Sequence, residues 1–363
     1  MRLAGVLEGH GFDSYVVVPE TGPLVRELRK RHIELEIVPY LCVIRRGTMR
    51  SWRLLSLVFM AIPSVIRLWV IIRERGIDVV HSNTATTFTP ALAARLAGVA
   101  HVWHLREMFA DDFPVLWRLY RRFMTALSDR VLCVSTAIRE QLPPNSRAEV
   151  LHNGVDLSEF EPENLDVLQL WEGLCRGTFA FLIGVASRIS PWKGQDVFIE
   201  ACGEIVKRRQ DVCCLVIGDT FPGNEYLEER LKIRVSELGL DEAVVFTGFI
   251  EDPRPLIAAL DVLVLPSTRP DPFPGVILEA MALGVPVVAS GIGGPTEQVD
   301  DGMTGLLVPP GDPTALANCI LELLSSPDRL VSMGKNARNR VRLSFSIEAM
   351  SARLGHLYRE LKD

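Results

Sequence analysis

Arg188 and Lys193 fall in Ala186-Ser-Arg-Ile-Ser-Pro-Trp-Lys-Gly194, where an apolar run gives way to a polar loop. Asp271 and Glu279 bracket a second segment, Asp271-Pro-Phe-Pro-Gly-Val-Ile-Leu-Glu279. A guanidinium and an ammonium suit phosphate oxygens. Ionised carboxylates only accept hydrogen bonds, so they suit sugar hydroxyls, which donate them. A site holding both kinds of group fits a sugar attached to a diphosphate. Taken alone, Asp271 reads as an ordinary helix cap and Glu279 as an ordinary helical carboxylate. Beside the two cations they read as ligand groups.

Other segments sit at the ends of apolar runs. Gly291-Ile-Gly-Gly-Pro-Thr-Glu297 offers a loop whose N–H groups, with Gly293, Gly294 and Glu297, can cradle phosphate. Gly218-Asp219 and Thr247-Gly248-Phe249-Ile250 can frame a nucleobase. Phe273, Pro274 and Gly275 form a turn that opens a helix, and Gly275 lets backbone come close to a ligand. Lys193 and Gly194 stand at another expected helix start, where free N–H groups favour an anion. His104 ends the run from His101 and is followed by Arg106 and Glu107. Such a His can bond a sugar hydroxyl or a reacting oxygen, or it can be a core residue.

The elements that must position these groups alternate short β-branched runs with longer helical segments. Strands are expected near 14–18, 34–38, 79–81, 101–104, 130–134 and 149–151 in the first half. In the second half they are expected near 179–186, 212–218, 244–247, 262–265, 285–289 and 305–308. Helices fill the gaps, among them 52–75, 193–209, 224–238 and 275–283, and two more close the chain near 327–342 and 346–361. This is an α/β pattern of two doubly wound, mainly parallel sheets facing a cleft. Ligands of such sheets bind beyond the carboxyl ends of the strands, where every segment named above lies. The expected domains are 1–165, 166–342, and a last helical segment 343–363 that packs back toward the first.

The chain has 363 residues, 48% hydrophobic and 23% charged, which suits two globular cores. Its seven cysteines, at 42, 133, 175, 202, 213, 214 and 319, show no C-x-x-C and read as reduced core thiols of a cytoplasmic protein. Residues 1–150 carry 20 Lys+Arg against 14 Asp+Glu, whereas residues 151–363 carry 19 against 31. The basic first half can face an anionic surface or acceptor, which allows a peripheral position at the inner face of a membrane. The start lacks the apolar stretch of a cleavable leader. The longest apolar run, Leu54 to Ile72, contains Pro63 and Arg67, so a half-buried helix is expected rather than a span. Arg45, Arg46, Arg50 and Arg53 precede it and suit contact with anionic lipid. No phosphate-binding G-x-x-x-x-G-K-[ST], zinc spacing, G-x-S-x-G elbow or nucleic-acid module is present.

Together these residues resemble the GT-B glycosyltransferases of glycosyltransferase family 4, whose members retain anomeric configuration. The likeness lies in Ala186–Gly194, in an E-x7-E-like motif, in Gly293-Gly-Pro-Thr-Glu297, in Thr304-Gly-Leu-Leu-Val-Pro-Pro-Gly-Asp312 and in Asn153-Gly-Val-Asp156. The resemblance implies that Arg188 and Lys193 bind the donor's diphosphate and Glu279 holds the ribose. Asp271 and the backbone at Phe273–Gly275 would hold the donor sugar, and His104 would lie near the reacting centre. It implies a nucleoside-diphosphate-sugar donor, no cofactor, no metal, and an acceptor that is a polysaccharide, a lipid-linked glycan or a small molecule. Asp271 stands where the motif usually has Glu. The first seven residues read as the middle of a helix, so the first domain is expected to lack its first strand. A sugar-nucleotide epimerase on the same fold and a non-catalytic nucleotide-sugar-binding protein are the alternatives.

Overall fold

The computed structural model describes residues 2–44, 53–108, 114–144, 146–161 and 179–362. The expected boundary at 165/166, Cys175, and Arg45, Arg46 and Arg50 lie outside the described residues. The chain divides into two compact units, Met1–Gly154 with Ile347–Asp363, and Val155–Ser346.

The first unit holds strands β1 (Tyr15–Val18), β2 (Glu34–Ile37), β3 (Val79–Ser82), β4 (Ala100–Leu105), β5 (Arg130–Cys133) and β6 (Ala148–Val150). Its helices are α1 (Arg2–Leu7), α2 (Pro23–Lys30), α3 (Arg53–Arg75), α4 (Thr89–Ala97), α5 (Pro114–Leu127), α6 (Thr136–Arg139) and, from the end of the chain, α14 (Ile347–Lys362). The strands form two separate parallel sheets, β1-β2 and β3-β4-β5-β6. The expectation of one continuous series is therefore corrected: among the described residues β1 pairs only with β2, and β3 only with β4. One core joins α14 to the four-stranded sheet through Val102, Leu132, Leu151, Leu354 and Tyr358. A second joins α3 and α4 to the short sheet through Val38, Leu68, Ile72, Ala93 and Ala97. Glu36 of β2 takes both Arg67 Nε (2.7 Å) and Nη2 (2.8 Å), which fixes α3 against that sheet and holds the carboxyl below its ordinary range.

The second unit is one six-stranded parallel sheet. Its strands are β7 (Phe181–Ala186), β8 (Val212–Ile217), β9 (Val244–Gly248), β10 (Val262–Leu265), β11 (Val287–Ser290) and β12 (Gly305–Val308). Their order is β12-β11-β10-β7-β8-β9. β8 and β10 are buried at every residue, as strands covered on both faces must be. The helices are α7 (Gln195–Arg208), α8 (Tyr226–Glu237), α9 (Arg254–Ala258), α10 (Gly275–Ala282), α11 (Pro295–Gln298), α12 (Pro313–Leu324) and α13 (Pro327–Ser344). α11 has four residues and escaped the periodicity reading. Asp312 caps α12 by accepting from the Ala315 N–H at 2.9 Å, with Pro313 in the first turn. Val155 and Ser346, the unit's two ends, form a parallel bridge, and Val155 N–H donates to Phe345 O at 2.9 Å.

Of the cysteines, 42, 133, 202, 214 and 319 are free, whereas Cys213 is in a disulfide, which corrects the expectation that every thiol is reduced. No described helix is long and apolar enough to cross a membrane.

α13 lies against α10 at a glycine contact. A Cβ at Gly334 would sit 2.0 Å from Gly284 O. Gly334→Ala is therefore expected to cost about 1–3 kcal/mol in denaturant unfolding, as overpacking does. Gly5→Ala, in α1 with nothing within 4 Å of its Cβ, should by contrast stabilise by up to about 1 kcal/mol, as Ala for Gly in a helix does.

Candidate functional site

The strand order of the second sheet reverses between β7 and β10, which makes that point a topological switch. Crossovers leave in opposite directions there, so loops at the carboxyl ends splay and open a crevice. The candidate residues of this unit sit at the ends of β7, β8, β9, β10 and β11 and in the loops after them, with Glu279 in α10.

Glycine brings these loops together. Gly194 caps α7 with φ 74°, and a Cβ there would be 1.9 Å from Pro266 O. The loop after β7 therefore closes on the end of β10. Gly218, at φ 128°, lets the loop after β8 come up to Ser187, whose carbonyl a Cβ would meet at 2.3 Å. Gly293 and Gly294 pass under the turn at 270–273, where Cβ atoms would strike Asp271 O at 2.6 Å and Pro272 O at 2.4 Å. Gly294 N–H donates to Asp271 O at 2.7 Å. Gln195 Nε2 donates to Ser187 Oγ (3.0 Å) and Arg188 O (2.9 Å), and Gln298 Nε2 to Pro274 O (3.0 Å).

On this frame Lys193 Nζ forms an ion pair with Asp271 Oδ2, across 78 positions of sequence. Their side chains are 21% and 13% exposed. That is shielded enough to escape the screening that makes surface pairs nearly worthless, yet it spares the full desolvation cost of a buried pair. The ammonium keeps donors and the carboxylate keeps acceptor positions for a ligand. Glu279 lies a turn inside α10, and its Oε1 would be 3.7 Å from a Cβ placed on Gly275. The carboxylate thus reaches back to the helix mouth, and Arg254 of α9 feels its charge. Arg188 is exposed, and its guanidinium carbon stands 3.5 Å above the Phe221 ring. Gly218 and Gly248 form an isolated bridge. Asp219 accepts from Thr220 N–H at 2.6 Å, Phe249 is 74% exposed, and Ile250 and Glu297 are half-buried. Phe273 and Pro274 are buried and form the floor of the turn.

The structure thus places Arg188, Lys193, Asp271, Glu279 and the glycine loops at one end of one sheet. The Lys193–Asp271 pairing, the Arg188–Phe221 stack and Arg254 were not foreseen. The pairing leaves no local pattern, whereas Arg254, a cation just beyond the end of β9, was open to the strand-end reasoning used elsewhere.

His104 belongs to the first unit, at the end of β4, and is 0% exposed. Neither ring nitrogen has a hydrogen-bond partner of ordinary geometry among the described residues. Burial, then the Arg106 and His81 charges, holds it well below the ordinary imidazole range, with only a partial offset from the Leu151 backbone. Burial also lowers His81 to about 3 and His101 to about 4. His81 Nδ1 lies 2.5 Å from the Tyr358 hydroxyl, and His101 bonds Ser82 (2.9 Å) and Ser128 (3.2 Å).

Residues 180–326 match the family described as glycosyl transferases group 1, and residues 1–159 match glycosyltransferase family 4. An Escherichia coli UDP-Gal:alpha-D-GlcNAc-diphosphoundecaprenol alpha-1,3-galactosyltransferase is 26% identical over 97% of this chain and 90% of its own. A GDP-mannose-dependent alpha-(1-6)-phosphatidylinositol monomannoside mannosyltransferase of Mycobacterium tuberculosis is 31% identical over 84% and 82%. The crystal structure of Anabaena HepE in complex with UDP aligns with a TM-score of 0.84 at 25% identity, over 99% of this chain and 96% of that one.

Two outcomes are expected. Gly194→Ala forces a side chain onto Pro266 O at positive φ, so it should shift the loop and weaken nucleoside-diphosphate stabilisation in a thermal-shift assay by tenfold or more in affinity, about 1.4 kcal/mol or more. The three histidines take up protons more readily when unfolded. Their contribution is complete above the unfolded value of about 6.5 and is lost as pH falls toward their folded values, by up to about 1.4 kcal/mol per pH unit for each. Melting temperature should therefore drop between about pH 7 and 5, and His101→Gln should flatten that slope; a flat wild-type profile would contradict the neutral-histidine assignment.

Proposed function

The chain belongs to glycosyltransferase family 4, and we propose that it moves a hexose, with retained anomeric configuration, from a nucleoside diphosphate to a lipid-linked glycan. The observation that carries this is the gathering of Lys193, Asp271 and Glu279 on glycine-tightened loops at the switch point of the second sheet.

Each group then has a task. Arg188 and Lys193, with the N–H groups at the start of α7, meet the diphosphate oxygens. Asp271 accepts from donor-sugar hydroxyls while still paired with Lys193, so one ion pair spans the phosphate and sugar halves of the donor. Glu279, at the mouth of α10, accepts from the ribose hydroxyls. The loops at 218–219 and 248–250 face the base, and Gly293, Gly294 and Glu297 frame the phosphates. In the reaction the anomeric carbon–oxygen bond to the diphosphate breaks and the electron pair stays on the phosphate. The acceptor hydroxyl oxygen bonds to that carbon and its proton passes to the departing diphosphate oxygen. Preorganised cations lower the barrier because charge grows on the diphosphate in the transition state. No metal or cofactor is assigned to the reaction. We assign the acceptor to the first unit, which also holds the neutral His104.

The relatives support this choice. The acceptors named for the Escherichia coli and mycobacterial enzymes are both lipid-borne, and the Anabaena structure holds UDP. They support transfer and give no support to epimerisation or to binding without turnover. The proposed place is cytoplasmic and peripheral to the membrane, in keeping with the basic first half.

Lys193→Ala is expected to lower turnover by about 100- to 1,000-fold, the scale for one charge-stabilising group, while the protein still unfolds cooperatively at a melting temperature lowered by the loss of the Asp271 ion pair. Release of nucleoside diphosphate from a panel of UDP- and GDP-hexoses, with a lipid-diphosphate glycan as acceptor, measures it. Near-normal rates in this variant would overturn the phosphate assignment.

A further inference from the structure

α3 has two different faces. Ser64, Leu68, Ile71 and Ile72 are at most 7% exposed and pack into the first unit. Ser64 donates to Thr89 Oγ1 at 2.9 Å and accepts from Cys42 N–H at 3.4 Å, so this face is anchored. On the opposite face Phe59 is 78% exposed, Ile62 63%, Ile66 56% and Trp69 38%. Their spacing puts them in one stripe about 15 Å long, at 1.5 Å per residue. Arg73, also exposed, continues the stripe at its end. Single exposed apolar side chains are ordinary, but four large ones in register on one helix are not.

The charge of the neighbouring sequence selects its partner. Between Ile37 and Arg73 the sequence carries Arg45, Arg46, Arg50, Arg53, Arg67 and Arg73 and no Asp or Glu. Arg67 is taken by Glu36. An apolar stripe with Trp and Phe that follows a run of arginines in the sequence, with Glu74 at the far end of α3 the helix's one acid, matches an anionic lipid surface. No described helix is long and apolar enough to cross a membrane, so α3 lies on it rather than through it.

We propose that the Phe59–Trp69 face of α3 seats this glycosyltransferase in the interface of an anionic membrane. The proposal rests on the lipid-linked acceptor reading and names the element that brings the enzyme to it.

Flotation of the full chain with vesicles tests it. Binding is expected to vesicles of equal parts phosphatidylcholine and phosphatidylglycerol, weaker by roughly tenfold or more on phosphatidylcholine alone, and falling as salt rises. The triple variant Phe59→Ser, Ile62→Ser, Ile66→Ser should lose roughly tenfold or more of that partitioning while its melting temperature stays put. Failure of the native chain to float with the anionic vesicles, or equal flotation of the variant, overturns the proposal. So does a native dimer that the variant converts to monomer without any vesicle binding, which would make the stripe a self-association face. Nucleoside-diphosphate release in the absence of vesicles reads the transfer chemistry separately, so failure of either idea is visible alone.

Discussion

The ion pair between Lys193 and Asp271 is the interaction on which the second unit's site depends. It joins the loop after β7 to the loop after β10, the two strands that flank the reversal of strand order. Beneath that pair the backbones come closer than a β-carbon would allow. Gly194 against Pro266 and Gly293 against Asp271 supply that closeness. The loops are therefore drawn in by what is missing from the chain, and the charges then lock the result. On the proposed reading, a diphosphate entering this site would find cations already oriented, the condition under which electrostatic stabilisation costs little reorganisation.

Much of this was legible in the sequence because parallel strands buried on both faces are short unbroken apolar runs, such as Val212–Ile217 and Val262–Leu265. The candidate residues followed because they sit just past those runs. What was illegible was long-range or too short to be periodic. Nothing in the local sequence says that Lys193 faces Asp271, or that Phe221 lies under Arg188. Pro295–Gln298 is one turn of helix, too brief to show a repeat. The split of the first unit into a two-stranded and a four-stranded sheet follows from pairing partners, which alternating apolar runs do not specify. The disulfide at Cys213 was equally hidden, since spacing alone suggested ordinary core thiols.

The first unit is organised by different physics. Its interior near β3 and β4 holds three histidines kept neutral by burial, two of them beside Arg106, which disfavours a second positive charge. A neutral imidazole can both give and take a hydrogen bond, which an imidazolium cannot. The unit's net positive charge comes instead from lysine and arginine, which stay charged at any physiological pH. The division lets one unit carry a permanently cationic exterior while its buried imidazoles remain free of charge.

The bridge between Val155 and Ser346 has a topological consequence. The second unit's two ends meet in that bridge, so it is an insertion in the first unit with its own ends already clasped. Joining those ends would take only a short linker and little loop-closure entropy. The second unit is therefore a module that could be reopened at another surface loop, circularly permuted, or expressed alone without unravelling its sheet.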